Sequence, residues 1–343
     1  MFFQSGKSRC KLLRSSLFLI LFLPNICFAK SLDSSQVNQF IDEMVSKHGF
    51  DTNELRILFA GTKYSEKVLR SMSRPAESLA WYKYRNIFLK DVRIKKGVAF
   101  WRKHEKTLNR ANDTYGVSPQ IIIAIIGVET QYGQHKGKDK VMDSLATLAF
   151  HYPKRAKFFR SELEQFLLLT REQNVDPLSL KGSYAGAMGI PQFISSSYRN
   201  YAVDFDSDGK KDLWQNPVDA IGSVASYFHR HGWQAGKSVT FPVKINGEKV
   251  NEIIDSDLKP NIRIDELKKY GVIFEQDIPI TTLVKVMKFE QKDHDDYWLG
   301  LHNFYVITRY NHSALYAMAV YQLSEEIKTE HEKRSTVEKS NLQ

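Results

Sequence analysis

The segment Ile121 to Gly133 reads Ile-Ile-Ile-Ala-Ile-Ile-Gly-Val-Glu-Thr-Gln-Tyr-Gly, and Glu129 is the one charged residue in it. A run that is apolar on every side must be buried wherever it folds. Its isoleucines are β-branched and suit a strand as well as a helix. Ser118 as N-cap, Pro119 at the first helical position and Gly133 as a C-terminal stop favour the helix. On that helix Ile125, Ile126 and Tyr132 share a face with Glu129. Burial disfavours an ionised carboxyl, so an acid in such a wall is expected to keep its proton to higher pH than a solvated one, which suits a general acid. The plainer alternative is a helix-end glutamate that reaches solvent.

With 343 residues, the chain can form two or three lobes around a substantial core. Lys7, Arg9, Lys11 and Arg14 precede the apolar stretch Leu17 to Leu23, and Cys27-Phe28-Ala29 forms a small-x-small cleavage site. Residues 1–29 are therefore expected to be a secretory signal peptide, with the protein exported to the periplasm of a Gram-negative bacterium. Both cysteines, Cys10 and Cys27, fall in that segment, so a mature chain beginning at Lys30 has no disulfide. Acylation of Cys27 to give an outer-membrane lipoprotein is the competing reading. The preceding Pro24-Asn25-Ile26 opposes it, because the residue before such a cysteine should be small, and membrane anchoring is not expected. Removing residues 1–29 lowers the net charge from +10 to +6. A basic exported protein can meet nucleic acid, anionic lipid or an acidic polymer. With no basic stripe interleaved with aromatics, nucleic acid ranks last.

The rest of the chain reads as mainly α with a strand-rich insert, an α+β class. Residues 35–48 and 76–113 carry helical periodicity, with Tyr82, Tyr84, Phe88, Phe100 and Trp101 along the second stretch. Val239 to Ile245, the turn Asn246-Gly247 and Glu248 to Ile254 predict a hairpin, and Leu283 to Phe289 a later strand. Ala314 to Ile327 predicts a helix returning to the core, and the charged segment 328–343 predicts disorder.

Two further constellations carry chemistry. In Lys181-Gly-Ser-Tyr-Ala-Gly-Ala-Met-Gly-Ile-Pro-Gln-Phe193 small residues let backbone approach a ligand while Ser183 and Gln192 offer short polar groups; a tightly packed loop is the bland alternative. Asp204-Phe-Asp-Ser-Asp-Gly-Lys-Lys-Asp212 matches the first half of an EF-hand loop, with Gly209 at the sixth position. Asp204, Asp206 and Asp208 would supply oxygens to Ca2+, and the Lys210 carbonyl fits the seventh position. Gln215 stands where the standard loop has a bidentate glutamate, so the closing carboxylate must come from further on, with Asp219 the nearest. An aspartate-rich turn that binds nothing is the alternative, although acids so crowded repel unless a cation neutralises them.

Gly127 to Gly133, Gly182 to Phe193 and Tyr201 to Phe228 together resemble the membrane-bound lytic murein transglycosylase B family, and His231-Gly-Trp233 and Asn303 to Ser313 extend the match. The resemblance implies a goose-lysozyme-like catalytic core at 118–235 with its EF-hand-like loop at 204–219. A helical lobe at 30–117 would pack with this core, followed by a small β-containing lobe at 236–295, a return to the core at 296–327 and a disordered tail at 328–343. It implies cleavage of the β-1,4 bond between N-acetylmuramic acid and N-acetylglucosamine of peptidoglycan strands, leaving 1,6-anhydro ends, by a monomer with Glu129 as acid and then base. Ca2+ would be structural and no cofactor would enter the chemistry. Tyr84, Ser183, Gln192, Tyr227, Tyr305, Tyr310 and Asn311 match positions of the family's substrate groove, and Lys154 and Arg155 match a basic pair that could hold stem-peptide carboxylates. A hydrolytic muramidase and an inactive peptidoglycan-binding protein are the alternative functions. The chain departs from the pattern at Ser195, where many members have proline, and in an extra residue between Trp214 and Pro217.

Overall fold

The computed structural model describes residue 32, residues 34–73 and residues 79–340; the expected signal peptide, Cys10 and Cys27 lie outside them. The helices are α1 Ser34–His48, α2 Thr52–Gly61, α3 Glu66–Met72, α4 Trp81–Phe88, α5 Asp91–Tyr115, α6 Pro119–Thr130, α7 Val141–His151, α8 Ala156–Glu172, α9 Ser195–Tyr201, α10 Pro217–Arg230, α11 His302–Tyr310 and α12 Ala314–Ser340. The strands are β1 Asp139–Lys140, β2 Lys181–Gly182, β3 Thr240–Ile245, β4 Ile262–Arg263, β5 Val272–Ile273, β6 Leu283–Glu290 and β7 Asp295–Gly300. The described residues are mostly helical, with a small five-stranded antiparallel sheet as expected and a two-stranded ribbon of β1 and β2.

At the centre lies α6, with Ile122 to Ile126 all 0% exposed. It packs on α5, α10 and α12. Ser118 sits at the N-cap position but makes no side-chain cap bond. Burying one isoleucine contributes about 1.5–3 kcal/mol, more than the ~1 kcal/mol that a missing cap costs. Tertiary burial therefore stabilises this helix more than its end signals do. The stop also differs from expectation, because the helix closes at Thr130 before Gly133. Gln131 and Tyr132 turn left-handed (φ 49° and 63°), and their N–H groups donate to the carbonyls of Gly127 and Ile126.

Apolar side chains gather in three clusters. One joins α4, α5, α6, α10, α11 and α12; a second joins α1–α3 with α7–α9; the third fills the strand-rich lobe. Residues 30–117 thus serve two clusters, α1–α3 lying on α7 and α8 while α4 and α5 lie on α6 and α12. The stretch expected to be helical over 76–113 breaks at Leu89–Lys90 between α4 and α5, and α5 itself kinks at His104 (φ −117°, ψ 21°).

The sheet has the order β4-β6-β7-β3-β5, antiparallel throughout, and continues to Gly300. Leu283 to Phe289 is a strand as expected, whereas the hairpin expected over 239–254 does not form. β3 pairs with β7 and β5, and Lys249–Ile253 is a 3-10 helix. Its buried residues, Val250 and Ile253, stand three apart, so a helical turn aims both inward where an alternating strand would expose one.

Residues 328–340, expected to be disordered, continue α12. Ile327 is fully buried, and His331 stacks on Trp101 at 4.4 Å with 10° between the rings. An aromatic pair of this kind contributes about 0.5–1.5 kcal/mol, and a loss of ~1 kcal/mol lowers the melting temperature of a chain this size by a few degrees. Deleting residues 328–343 is therefore expected to lower the calorimetric melting temperature by that amount. An unchanged value would show that the segment adds nothing to the fold.

Candidate active site

Glu129 lies in the last turn of α6 and is half-buried. The Tyr316 hydroxyl donates to its Oε1 at 2.5 Å across a separation of 187 residues. Tyr316 is 2% exposed. Its ring stacks with Tyr310 (6.4 Å, 9°), whose hydroxyl donates to the Pro191 carbonyl at 2.5 Å. Tyr227 meets Tyr310 edge-on at 4.9 Å and donates to the Arg309 carbonyl at 2.5 Å. Burial, and after it the charge of Glu129, pushes the Tyr310 and Tyr316 hydroxyls well above the ordinary tyrosine range. Both therefore stay protonated as donors. Tyr227 is also pushed upward, mainly by burial.

The residue after Glu129 ties this carboxyl to the glycine-rich loop. Thr130 Oγ1 donates to the Ile190 carbonyl at 2.8 Å and accepts from Gly133 N–H at 3.0 Å. Behind it, Tyr132 lies against Gly127, where an added Cβ would come within 2.7 Å of the tyrosine oxygen, and donates to the Arg93 carbonyl. Only glycine leaves room for that ring.

In the loop, Ser183 Oγ accepts from the N–H groups of Ala185 and Ala187. Gln192 adopts φ 52°, and its side-chain NH2 donates to the carbonyls of Gly189 and Lys136, which leaves its carbonyl oxygen as an acceptor. Asn311 ends α11 beside Tyr310. Tyr305, a turn earlier on that helix, is half-buried beneath the Arg309 guanidinium.

Tyr84, Lys154 and Arg155 complete the expected groove residues. Tyr84 is 1% exposed and packed against Trp81 and Phe88. Burial that complete makes it backing for the tyrosine wall and leaves it almost no surface for a sugar. Lys154 and Arg155 stand exposed on the turn Pro153–Arg155, with the Arg155 guanidinium over the Phe158 ring at 4.3 Å. The Arg155 guanidinium thus lies beside Phe158 and Phe159 of the second cluster. Tyr316 itself was not singled out in the sequence. Its position in an apolar helical stretch reads as core, and only its hydrogen bond distinguishes it.

Oxygens of Asp204, Asp206 and Asp219 lie within 4.8 Å of one another. A Ca2+–O bond of about 2.3–2.6 Å allows two ligands to sit up to roughly 5 Å apart, so one ion can bridge all three. Asp219 is 0% exposed, and burial first, then Asp206 and Asp204, push its carboxyl above the usual range against the N–H bonds of Phe205 and Asp212. A cation there would relieve that crowding, so the donor set fits a hard divalent ion. Asp208 instead accepts from the Lys210 N–H and is not in the trio.

Residues 33–325 match the model of the transglycosylase SLT domain family. The chain is 45% identical over 305 residues to membrane-bound lytic murein transglycosylase B of Escherichia coli K12, covering 86% of this chain and 83% of that protein. Among solved structures it superposes on the catenated lytic transglycosylase SltB1 of Pseudomonas aeruginosa with TM-score 0.84 at 50% identity (87% and 99% of the two chains). It also superposes on the Escherichia coli lytic transglycosylase Slt35 in complex with calcium, with TM-score 0.79 at 45% identity (86% and 93%). The chain belongs to the transglycosylase SLT family, lytic murein transglycosylases that act on peptidoglycan.

Removing the Tyr316 hydroxyl tests the carboxyl's setting. Tyr316→Phe keeps the ring and deletes a donor that favours the ionised form, so the carboxyl should titrate higher. Turnover of peptidoglycan is expected to fall about tenfold, from one lost charge-assisted hydrogen bond, with the alkaline limb of kcat, where a required acid loses its proton, moving to higher pH. A pH profile identical to wild type would dissociate Tyr316 from the group that governs turnover.

Proposed function

We propose that the protein cleaves the β-1,4 bond between N-acetylmuramic acid and N-acetylglucosamine in peptidoglycan and leaves a 1,6-anhydro-muramyl end, with Glu129 serving as acid and then as base. The observation that carries this reading is a half-buried carboxyl held by a buried tyrosine within a wall of stacked tyrosines. Ordinary glycoside hydrolysis uses a pair of carboxylates at a set separation. With one, the balanced route is intramolecular. Glu129 gives its proton to the glycosidic oxygen as the C1–O bond breaks, and its carboxylate then takes the proton of the same sugar's C6 hydroxyl as O6 bonds to C1. No water is consumed, and the carboxyl ends protonated again.

Tyr316 fixes the carboxyl plane during both transfers. Ser183, Gln192 and Asn311 offer hydrogen bonds to the sugars, Tyr227, Tyr305 and Tyr310 offer ring faces and hydroxyls, and Lys154 and Arg155 offer positive charge at the rim. In this reading the leader 1–29 directs export to the periplasm, where the polymer lies; no described helix is long and apolar enough to cross a membrane.

Glu129→Gln keeps the shape but cannot donate a proton, and kcat is expected to fall at least about a hundredfold while sacculi are still bound. Activity within a few-fold of wild type would remove Glu129 from the role. Mass spectrometry of muropeptides released by the wild type decides the route: anhydro ends support it, and reducing ends would make the protein a hydrolytic muramidase.

Ca2+ at Asp204, Asp206 and Asp219, with the Lys210 carbonyl and Asp208 completing the loop's donors, would be structural. A cation bound by the folded state alone stabilises it by mass action, so the melting temperature should climb with calcium concentration. Glu129 needs no metal for proton transfer, so chelated enzyme should still turn over below its melting point. Equal melting temperatures in calcium and in chelator would refute the site.

A further inference from the structure

Lys285 on β6 carries a charge where the fold offers little to meet it. It is 2% exposed, and its Nζ donates at 2.5 Å to Asp255 Oδ1, a carboxylate on the far more open loop 254–258. An ammonium has three donors, and burying one is costly unless its hydrogen bonds are made. Asp255 takes one of them and spends the same Oδ1 on the N–H of Asp257. Lys285 is among the residues lining a recess of about 360 Å³ bounded by that loop, by β6 and by the turn His312-Ser313-Ala314. This turn links α11 to α12, the helix that carries Tyr316. It directly follows Tyr310 and Asn311, and Ser313 Oγ accepts from Tyr316 N–H at 3.2 Å, so the recess begins within one helical turn of the tyrosine that holds Glu129.

We propose that this recess holds a carboxylate of the peptide stem borne by the muramyl sugar at the scissile bond, with Lys285 as the buried anchor. The assignment rests on the peptidoglycan-cleaving reading above. The muramyl sugar carries its stem on the lactyl group of O3, so placing its C1 beside Glu129 brings the stem out within about one sugar of that carboxyl. Stem peptides are rich in free carboxylates, and a second acceptor on Lys285 completes the ammonium's bonding. His312 at the mouth adds a further donor, and Asp255 and Asp257 would meet a free amino group on the same stem. The site is separate from the exposed pair Lys154 and Arg155. Lys285 touches none of the reacting atoms and is a positioning residue for the peptide.

The test compares two substrates: sacculi carrying their stems, and the same glycan stripped of peptide by an amidase. Lys285→Met keeps the length and suits the buried site. It is expected to lower kcat/KM on stem-bearing glycan about tenfold or more, the equivalent of one charge-assisted hydrogen bond, mostly through KM, and to leave turnover of stripped glycan unchanged. An equal loss on both substrates, or no loss on either, would overturn the assignment and leave Lys285 a structural partner of Asp255. Should that variant not fold, titration of wild-type enzyme with a soluble muramyl tetrapeptide and with its amidated, carboxylate-free form decides the matter, equal affinity for the two refuting it. If wild-type enzyme releases no fragments from either glycan, the peptidoglycan-cleaving reading itself fails, a result distinct from a failure of the recess.

Discussion

The hydrogen bond from Tyr316 to Glu129 is the contact on which the arrangement of the site depends. It joins α6 to α12, elements far apart in the chain, and it can form only because α4, α5, α6 and α12 share one apolar cluster. A buried phenol has few partners to choose from, and leaving it unpaired costs about 1–3 kcal/mol. The tyrosine therefore fixes the carboxyl as much as the carboxyl satisfies the tyrosine. Through the ring stack with Tyr310, and from Tyr310 to Pro191 and Tyr227, the same contact orders the wall around the acid.

A second chain of contacts reaches the carboxyl from the acidic loop. Asp219 accepts from Asp212 N–H; the next residue, Leu213, gives its carbonyl to Ile190 N–H; and the Ile190 carbonyl accepts from Thr130, the neighbour of Glu129. Gly189 makes the close approach possible, since a Cβ there would lie 2.4 Å from the Leu213 carbonyl oxygen. Lys136 adds a parallel tie, donating to the Trp214 carbonyl while its own carbonyl accepts from Gln192. Neutralising the acidic trio would therefore steady the loop that carries Ser183 and Gln192.

The strand-rich lobe meets the helices through both β6 and β7. β6 packs on α4 through Phe289 and Trp81, whose rings meet at 5.3 Å, and β7 leads through Leu301 directly into α11. The lobe is thus built into the wall that holds Tyr305, Tyr310 and Asn311. Its buried Lys285 sits where lobe and catalytic turn adjoin.

The isoleucine run and its single acid fixed, without reference to anything else, that α6 would be buried and that Glu129 would stand at its end, because no other placement hides so much apolar surface. The spacing of Asp204, Asp206 and Gly209 likewise made the acidic loop legible, since its ligands come from near neighbours. Tyr316 could not be read this way: a tyrosine in an apolar helix looks like core until a partner from elsewhere reaches its hydroxyl. Tyr84 shows the reverse, a residue placed at the groove by motif and placed behind it by packing. The tail beyond Ile327 lacked apolar periodicity, and it is helical because an uninterrupted helix costs little to extend once its root is buried and His331 finds Trp101. The paired strands around β3 were undecidable from local pattern, because Asn246-Gly247 announces a turn but not which strand returns beside the first. Local chemistry determined which residues could act; only the tertiary structure decided which of them meet, since burial and hydrogen bonding between distant segments depend on where the whole chain packs.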